Sequence, residues 1–189
     1  MKKLLIIASL ASISESPFAM TNEHPMKPTT RPETTSFRFH EHKFSALCFN
    51  TKGCRVEYAK TYDVNDPDDK TTPPPPSDML TWVSGGRLGI SNFPEPAKIS
   101  WRSLDGSKHS ASIDIGKIFH DECVVHDIPS EKIAKNKGTG TPSIILIVND
   151  REISVYMKTL IPLKTPERSD NPFSNVALAT KLAYRQAYR

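Results

Sequence analysis

Two histidines stand one residue apart in the stretch "FHEHKF". On a β-strand His40 and His42 would point to the same face, an arrangement that can hold a metal ion. A second stretch, "HDECVVH", places His120 and Cys123 three residues apart. In an extended chain these two side chains point to opposite faces, and the valine pair 124–125 disfavours a helix. We therefore predict surface histidines with a core cysteine and no metal. A periplasmic metal-binding protein or metal-dependent enzyme using His40 and His42 is the alternative hypothesis.

Other catalytic patterns are absent from the sequence. It contains no nucleophile elbow, no phosphate-binding loop with its lysine, no dinucleotide-binding glycine pattern and no H-E-x-x-H zinc motif. The aspartates cluster in one polar loop, where solvent would keep their pKa values ordinary, whereas catalytic carboxylates usually need burial or a close like charge. The sequence therefore predicts a protein that is not an enzyme and that needs no cofactor.

An acidic, proline-rich segment, "DVNDPDDKTTPPPPSD", interrupts the apolar pattern between residues 63 and 78. Four consecutive prolines cannot donate backbone hydrogen bonds, so the segment cannot be an inner strand and is predicted to be a long loop. It is either a solvated connector or an acidic arm that meets a basic partner. The candidate partner-binding residues are Asp63, Asp66, Asp68, Asp69, Asp78 and Trp82.

The first residues resemble an export signal. Lys2 and Lys3 precede an apolar run over residues 4–13, which is far shorter than the roughly 20 residues of a membrane span. Residues 1–19 are predicted to be a signal peptide cut after Ala19, with a cut after Ser16 as the alternative, and residues 20–36 a flexible leader. Removal of residues 1–19 takes away two lysines and one glutamate, so the net charge falls from +4 to +3. So small an excess, without a basic stripe, predicts no nucleic-acid partner.

Export changes how the three cysteines are interpreted. In an oxidising periplasm Cys48 and Cys54, in "CFNTKGC", are predicted to form a disulfide across a tight turn. Pairing of either one with Cys123 stays open at this stage.

Alternating apolar residues indicate one β-rich domain over residues 37–189. A hairpin is predicted around Asp105-Gly106, and a second where "PSIILIV" and "REISVYMKTLI" flank Asn149-Asp150. The end of the chain, "SNVALATKLAYRQAYR", has apolar residues near helical spacing after Ser174, a good N-cap. The predicted fold is therefore a β-rich α+β domain with antiparallel sheets or a sandwich and a C-terminal helix.

Three stretches carry a family resemblance: the hairpin within "NFPEPAKISWRSLDGSKHSASIDI", the "NDREISVYMK" hairpin and the "NPFS" step. Together they resemble small exported immunity proteins that neutralise phospholipase effectors of bacterial type VI secretion systems. The resemblance implies a periplasmic inhibitor whose partner is a phospholipase or lipase toxin. Several members are lipoproteins, but no cysteine stands directly after the apolar segment here, so a lipid anchor is not expected.

Overall fold

The computed structural model describes residues 36–84, 86–135 and 137–189. They form nine strands, which are β1 (Glu41–Phe49), β2 (Thr51–Tyr58), β3 (Thr61–Asn65), β4 (Arg87–Ser91), β5 (Ala97–Ser103), β6 (Lys108–Ile113), β7 (Ser143–Asn149), β8 (Glu152–Pro162) and β9 (Val176–Ala187). The helical elements are one-turn helices, α1 (Met79–Trp82) and α2 (Ile115–Ile118), and a 3₁₀ turn at Ser130–Lys132. The predicted signal peptide and nearly all of the predicted leader lie outside the described residues.

The strands make two sheets. The five-stranded sheet has the order β4-β1-β7-β8-β9, and the four-stranded sheet has the order β3-β2-β5-β6. The β1–β7 pair is parallel, and every other pair is antiparallel. Both predicted hairpins are confirmed: β5 and β6 flank Asp105-Gly106, and β7 and β8 flank the turn at Asp150. Asp150 adopts a positive φ of 50°, which aspartate tolerates better than most residues.

The inner faces of the two sheets share one hydrophobic core, as in a β-sandwich. Alternate residues of each strand enter it, for example Val56 of β2, Ile99 of β5 and Val155 of β8. Strand β7 is buried on both faces, because α1 and the residues beside it cover the outer face of the five-stranded sheet. A second apolar cluster forms there, in which Met79 and Val83 pack on Ile145 and Ile147 of β7.

Lys158 of β8 holds α1 against the outer face of the five-stranded sheet. Its ammonium group donates hydrogen bonds to the carbonyl oxygens of Leu80, Thr81 and Val83 at 2.7–3.0 Å. These carbonyls belong to the C-terminal turn of α1, where backbone oxygens lack helical partners and a cation is favoured. Burial lowers the pKa of Lys158 from its ordinary value.

The predicted C-terminal helix is wrong, because residues 176–187 form β9. Strand β8 is almost entirely buried and would otherwise present a row of unpaired backbone groups along its free edge. Pairing with β9 satisfies that edge from Glu152 to Pro162, with a register shift near Tyr156. An alanine-rich helical stripe would bury little apolar surface, so non-local strand pairing outweighs local helical preference.

The boundary of the acidic loop also differs from the prediction, since Asp63 lies within β3, an edge strand.

Ser174, predicted to be a helix N-cap, instead closes the turn before β9. Its hydroxyl accepts a hydrogen bond from the Arg168 amide and donates one to the carbonyl oxygen of Asn171. Among the described residues, no helix combines the length and apolar character needed to cross a bilayer.

Candidate functional site

The two candidate metal-binding histidines lie in different environments. His40 is exposed, and its Nδ1 lies 3.7 Å from a carboxylate oxygen of Glu122. His42 is fully buried and both of its ring nitrogens have protein partners. Within the described parts of the chain, no group of three or more His, Cys, Asp and Glu side chains is arranged to hold a metal ion. A metal role for this pair stays an alternative hypothesis, and the two placements do not support it.

His42 is the centre of a buried polar network. The amide group of Asn92 donates to the Phe39 carbonyl, so its Oδ1 accepts from His42 Nδ1 at 3.0 Å. His42 Nε2 then accepts from the Tyr58 hydroxyl at 3.1 Å, which defines a neutral imidazole. Burial lowers the pKa of His42 and raises that of Tyr58. The network resembles a satisfied core histidine and offers no open position to a ligand.

Asp63, the first aspartate of the acidic segment, is mostly buried. Its carboxylate accepts two hydrogen bonds from the Arg87 guanidinium, at 2.8 and 3.3 Å, and Arg87 also donates to the Tyr58 carbonyl. Burial raises the pKa of Asp63, and the hydrogen bonds from Arg87 oppose that shift. The pair joins β3 to β4, which lie in different sheets, so its evident role is structural.

The acidic segment lies along β2 instead of projecting as an arm. Backbone hydrogen bonds join it to β2, from the Gly53 amide to the Lys70 carbonyl and from the Asp66 amide to the Cys54 carbonyl. Gly53 has a φ of +55°, and a Cβ there would lie 2.9 Å from the Asp68 Cα, so only glycine fits this close approach. Asp66 pairs with Lys70, and Asp68 pairs with Arg55, each at 2.6 Å.

Three of the six predicted contact residues remain exposed: Asp69, Asp78 and Trp82. Neither of the two aspartates has an ion-pair partner among the described residues. Trp82 is 55% exposed at the end of α1, and Asp78 immediately precedes that helix. Their role in partner binding stays a prediction. Trp101, in contrast, is buried in the core and donates its indole N–H to the Asp150 carbonyl at 2.6 Å.

The predicted Cys48–Cys54 disulfide is confirmed, and it joins β1 to β2 across the turn at Asn50. Cys123 is a free, half-buried thiol, and its sulfur accepts a hydrogen bond from the Ser36 hydroxyl at 2.9 Å. The alternative pairings of Cys123 are therefore excluded in this structure.

A serine, a histidine and an aspartate meet at the β5–β6 turn, a juxtaposition that sequence reasoning missed. The hydroxyl of Ser103 lies 2.6 Å from a carboxylate oxygen of Asp105 and 3.0 Å from His109 Nε2. In a catalytic triad the aspartate would orient the histidine and the serine would face substrate. Here the aspartate contacts the serine, and Ser103 is fully buried. Hydrogen bonds from Ser103 and Ser107 hold the pKa of Asp105 well below its usual range, so the cluster stabilises the turn.

An exposed apolar surface lies along strands β8 and β9. Strand β9 pairs with β8 on one side, and no strand among the described residues pairs with its other side. Four aliphatic side chains on the outer face of β8 and β9 are 40–53% exposed, and Leu160 lies directly opposite Leu178. We call this set the apolar edge surface; it consists of Leu160, Val176, Leu178 and Leu182. The alternating pattern of β9 could have indicated it, had the segment not been interpreted as a helix.

A groove lies beside the free edge of β9, on the inner side of the strand. Its volume is about 420 Å³, and it is lined by Ile113 of β6, Ile118 of α2, and Ala183 and Tyr184 of β9. The sandwich is therefore open between the two edge strands β6 and β9. A strand with an unpaired edge above a partly apolar groove is a geometry that can accept an added strand.

The stretches that carry the family resemblance are structural. The first forms the β5–β6 hairpin, the second the β7–β8 hairpin, and the "NPFS" step precedes β9. The β7–β8 hairpin provides β8, which pairs with β9. The immunity function stays a prediction. No protein-family model matches the chain, and no curated protein or solved structure matches it either.

Proposed function

We propose that this chain is an exported, non-catalytic immunity protein that binds and neutralises a secreted phospholipase toxin. The observation that carries the proposal is the 12-residue edge strand β9 with its apolar edge surface. Soluble proteins usually shorten, charge or cover such edges, because an exposed apolar edge pairs with other chains. An edge that is long and apolar is therefore a natural place for a protein partner.

The proposed binding mode is addition of a strand from the toxin to β9. Backbone hydrogen bonds would extend the five-stranded sheet, and alternate side chains would supply specificity. Side chains on one face of the added strand would extend the apolar row of Leu178 and Leu182. Side chains on its other face would enter the groove lined by Ile113 and Tyr184. The partner segment is thus expected to be an extended stretch with apolar residues on both faces.

Three further features support the proposal. The Cys48–Cys54 disulfide suits an exported protein, because disulfides persist in oxidising compartments. The family resemblance supplies the partner class, a phospholipase or lipase effector. Asp69, Asp78 and Trp82 provide a second, charged contact surface that would speed association with a basic partner.

The test is protection of cells from a phospholipase encoded beside the gene for this chain and directed to the periplasm. We expect the wild-type chain to restore growth and to copurify with the toxin. Leu178→Glu combined with Leu182→Glu should abolish both effects, because two charges would be buried in the interface. The control is Leu88→Glu, which introduces a single glutamate at an exposed leucine of β4, the opposite edge of the same sheet.

The outcomes separate the two parts of the proposal. Equal killing with and without the wild-type chain would reject the immunity function. Protection by the wild type and equal protection by the Leu178→Glu/Leu182→Glu variant would keep the function but reject β9 as its surface. Circular dichroism melting of all variants would show that any loss of protection is not a loss of folding.

A further inference from the structure

Three cations form one row across the outer face of the four-stranded sheet. Lys52 of β2 lies opposite Arg102 of β5, and Arg102 lies opposite Lys108 of β6. Directly opposite residues share a face, and neighbouring strands are about 4.8 Å apart, so the three side chains start within roughly 10 Å of one another. Like charges placed opposite each other destabilise a sheet. An anion bound at such a row would offset the repulsion among the three cations.

These side chains line a groove of about 200 Å³, which also includes Arg55, Asp68 and Ser100. That volume equals roughly six or seven water molecules at ~30 Å³ each, enough for one small anion with some of its hydration. The ammonium groups of Lys52 and Lys108 make no hydrogen bond or ion pair with any residue that the structure describes. Two ammonium groups are thus available on either side of the Arg102 guanidinium.

The chain already places one carboxylate at this groove. Asp68 accepts a hydrogen bond from Arg55 at 2.6 Å, and Arg102 donates to the Asp68 backbone carbonyl at 3.3 Å. The hydrogen bond and charge of Arg55, with smaller contributions from the charges of Arg102 and Lys108, lower the pKa of Asp68. The groove therefore stabilises negative charge, and a single carboxylate leaves an excess of three positive charges among Lys52, Arg55, Arg102 and Lys108.

We propose that this groove is a binding site for a phosphate group. A carboxylate offers two oxygens in one plane, whereas a phosphate monoester carries up to two charges and three acceptor oxygens that can face donors from several directions. The planar fork of Arg102 and the two flanking ammonium groups match that geometry. Asp68, whose carboxylate pairs with Arg55, also lines the groove and would compete with the phosphate. The inference is independent of the proposed immunity function, because it uses the other sheet and no toxin.

The test is titration of the purified chain with inorganic phosphate at constant ionic strength, followed by backbone amide NMR shifts. We expect saturable shifts confined to residues near the groove on β2, β5 and β6. Combining Arg102→Gln with Lys108→Gln should weaken phosphate binding about tenfold or more, because two charge-assisted contacts are lost. Asp68→Asn should tighten binding, because it removes the competing carboxylate.

The control is Lys98→Gln, which removes one exposed positive charge from the same face of β5 outside the groove. It should leave the phosphate affinity unchanged. Shifts that never saturate, or equal weakening by Lys98→Gln and by Arg102→Gln with Lys108→Gln, would overturn the site. Weaker binding by Asp68→Asn would overturn the competition by Asp68.

Vesicles identify the source of the phosphate. Phosphatidylcholine vesicles with and without phosphatidic acid, which has a phosphate monoester headgroup, are sedimented with the chain. Sedimentation that requires phosphatidic acid and is lost in the Arg102→Gln/Lys108→Gln variant assigns the site to lipid headgroups. Binding of free phosphate without sedimentation assigns it to a soluble phosphate compound.

Discussion

His42 is the residue at which folding and protonation are most directly linked. Its imidazole is fully buried; its Nε2 accepts a hydrogen bond from the Tyr58 hydroxyl, and its Nδ1 donates one to Asn92 Oδ1. Protonation of Nε2 would place a charge in the core and remove the hydrogen bond from the tyrosine hydroxyl. The folded state therefore favours the neutral ring, in agreement with the lowered pKa of His42.

The pH dependence of stability follows from the lowered pKa of His42. Below the unfolded-state pKa of about 6.5 the unfolded chain binds a proton that the folded chain excludes, so the free energy of unfolding falls as the pH decreases. His42 contributes at most about 1.4 kcal/mol per pH unit to this change in the free energy of unfolding. Urea unfolding measured at several pH values between 7.5 and 5 should show that the free energy of unfolding changes less with pH in His42→Gln than in the wild type. His40→Gln is the control, since His40 is exposed; identical slopes for the wild type and His42→Gln would contradict the prediction.

Lys158 is the second buried ionisable residue whose environment is unusual for its type. Lys158→Met keeps the apolar stem but leaves the carbonyls of Leu80, Thr81 and Val83 without their donor. We expect a loss of about 2 kcal/mol in unfolding free energy, since an unsatisfied buried acceptor costs ~1–3 kcal/mol. Lys98→Met, at an exposed position, should change stability by less than ~0.5 kcal/mol. Equal effects of the two substitutions in urea unfolding would show that Lys158 does not stabilise α1.

At the scale of elements, the β1–β2 connection depends on a covalent link. Cys48 and Cys54 are six residues apart, and the link joins the five-stranded sheet to the four-stranded one. The turn between them uses Asn50 at a φ of 51° and Gly53 at a φ of 55°, conformations that these two residue types tolerate well. The disulfide therefore restrains the segment at which the chain passes from one sheet to the other.

Removal of this disulfide should destabilise the chain modestly, because the loop that it closes is short. The chain-entropy relation gives about 2 kcal/mol for a loop of this length. Thermal unfolding of Cys48→Ala/Cys54→Ala should show a lower midpoint than the wild type, and reductant should lower the wild-type midpoint toward that of the variant. Adding reductant to the variant itself should have no further effect. An unchanged midpoint would mean that the link contributes no stability.

At the scale of the whole molecule, the charges are arranged differently from the simple acidic arm that the sequence predicts. Three of the five aspartates of residues 63–78 pair with Arg87, Lys70 and Arg55, so their charges are largely neutralised within the chain. The outer face of the four-stranded sheet keeps a row of unneutralised cations. Within residues 63–78, acidic contacts with a partner would therefore come from Asp69 and Asp78.

Asp69→Asn combined with Asp78→Asn should slow association with the proposed toxin partner several-fold at low salt, with little change in dissociation. Screening at high ionic strength should remove the difference. The matched control neutralises two exposed glutamates elsewhere, Glu95→Gln with Glu131→Gln. Surface plasmon resonance would measure both rates, and identical association rates for the wild type and the aspartate variant would move the contact away from this loop.

Much of the strand content follows from the sequence, because it depends on local patterns. The turn residues at Asp105-Gly106 and Asn149-Asp150, with alternating apolar residues on either side, predict two hairpins that the structure confirms. The short spacing of Cys48 and Cys54 likewise predicts their disulfide. The apolar edge surface was not predicted, because the spacing of Leu178 and Leu182 is also that of one helix face and led to the prediction of a helix.

The sequence by itself determined the β-rich class, both hairpins and the disulfide, since each of these depends on residues that are close together in the chain. Only the tertiary structure decided that β1 pairs with β7 in parallel, that the C-terminal segment completes the sheet beside β8, and that Asp63 and Asp68 pair with arginines. These features depend on residues that are distant in sequence, whose backbone groups and charges need partners that no local pattern specifies.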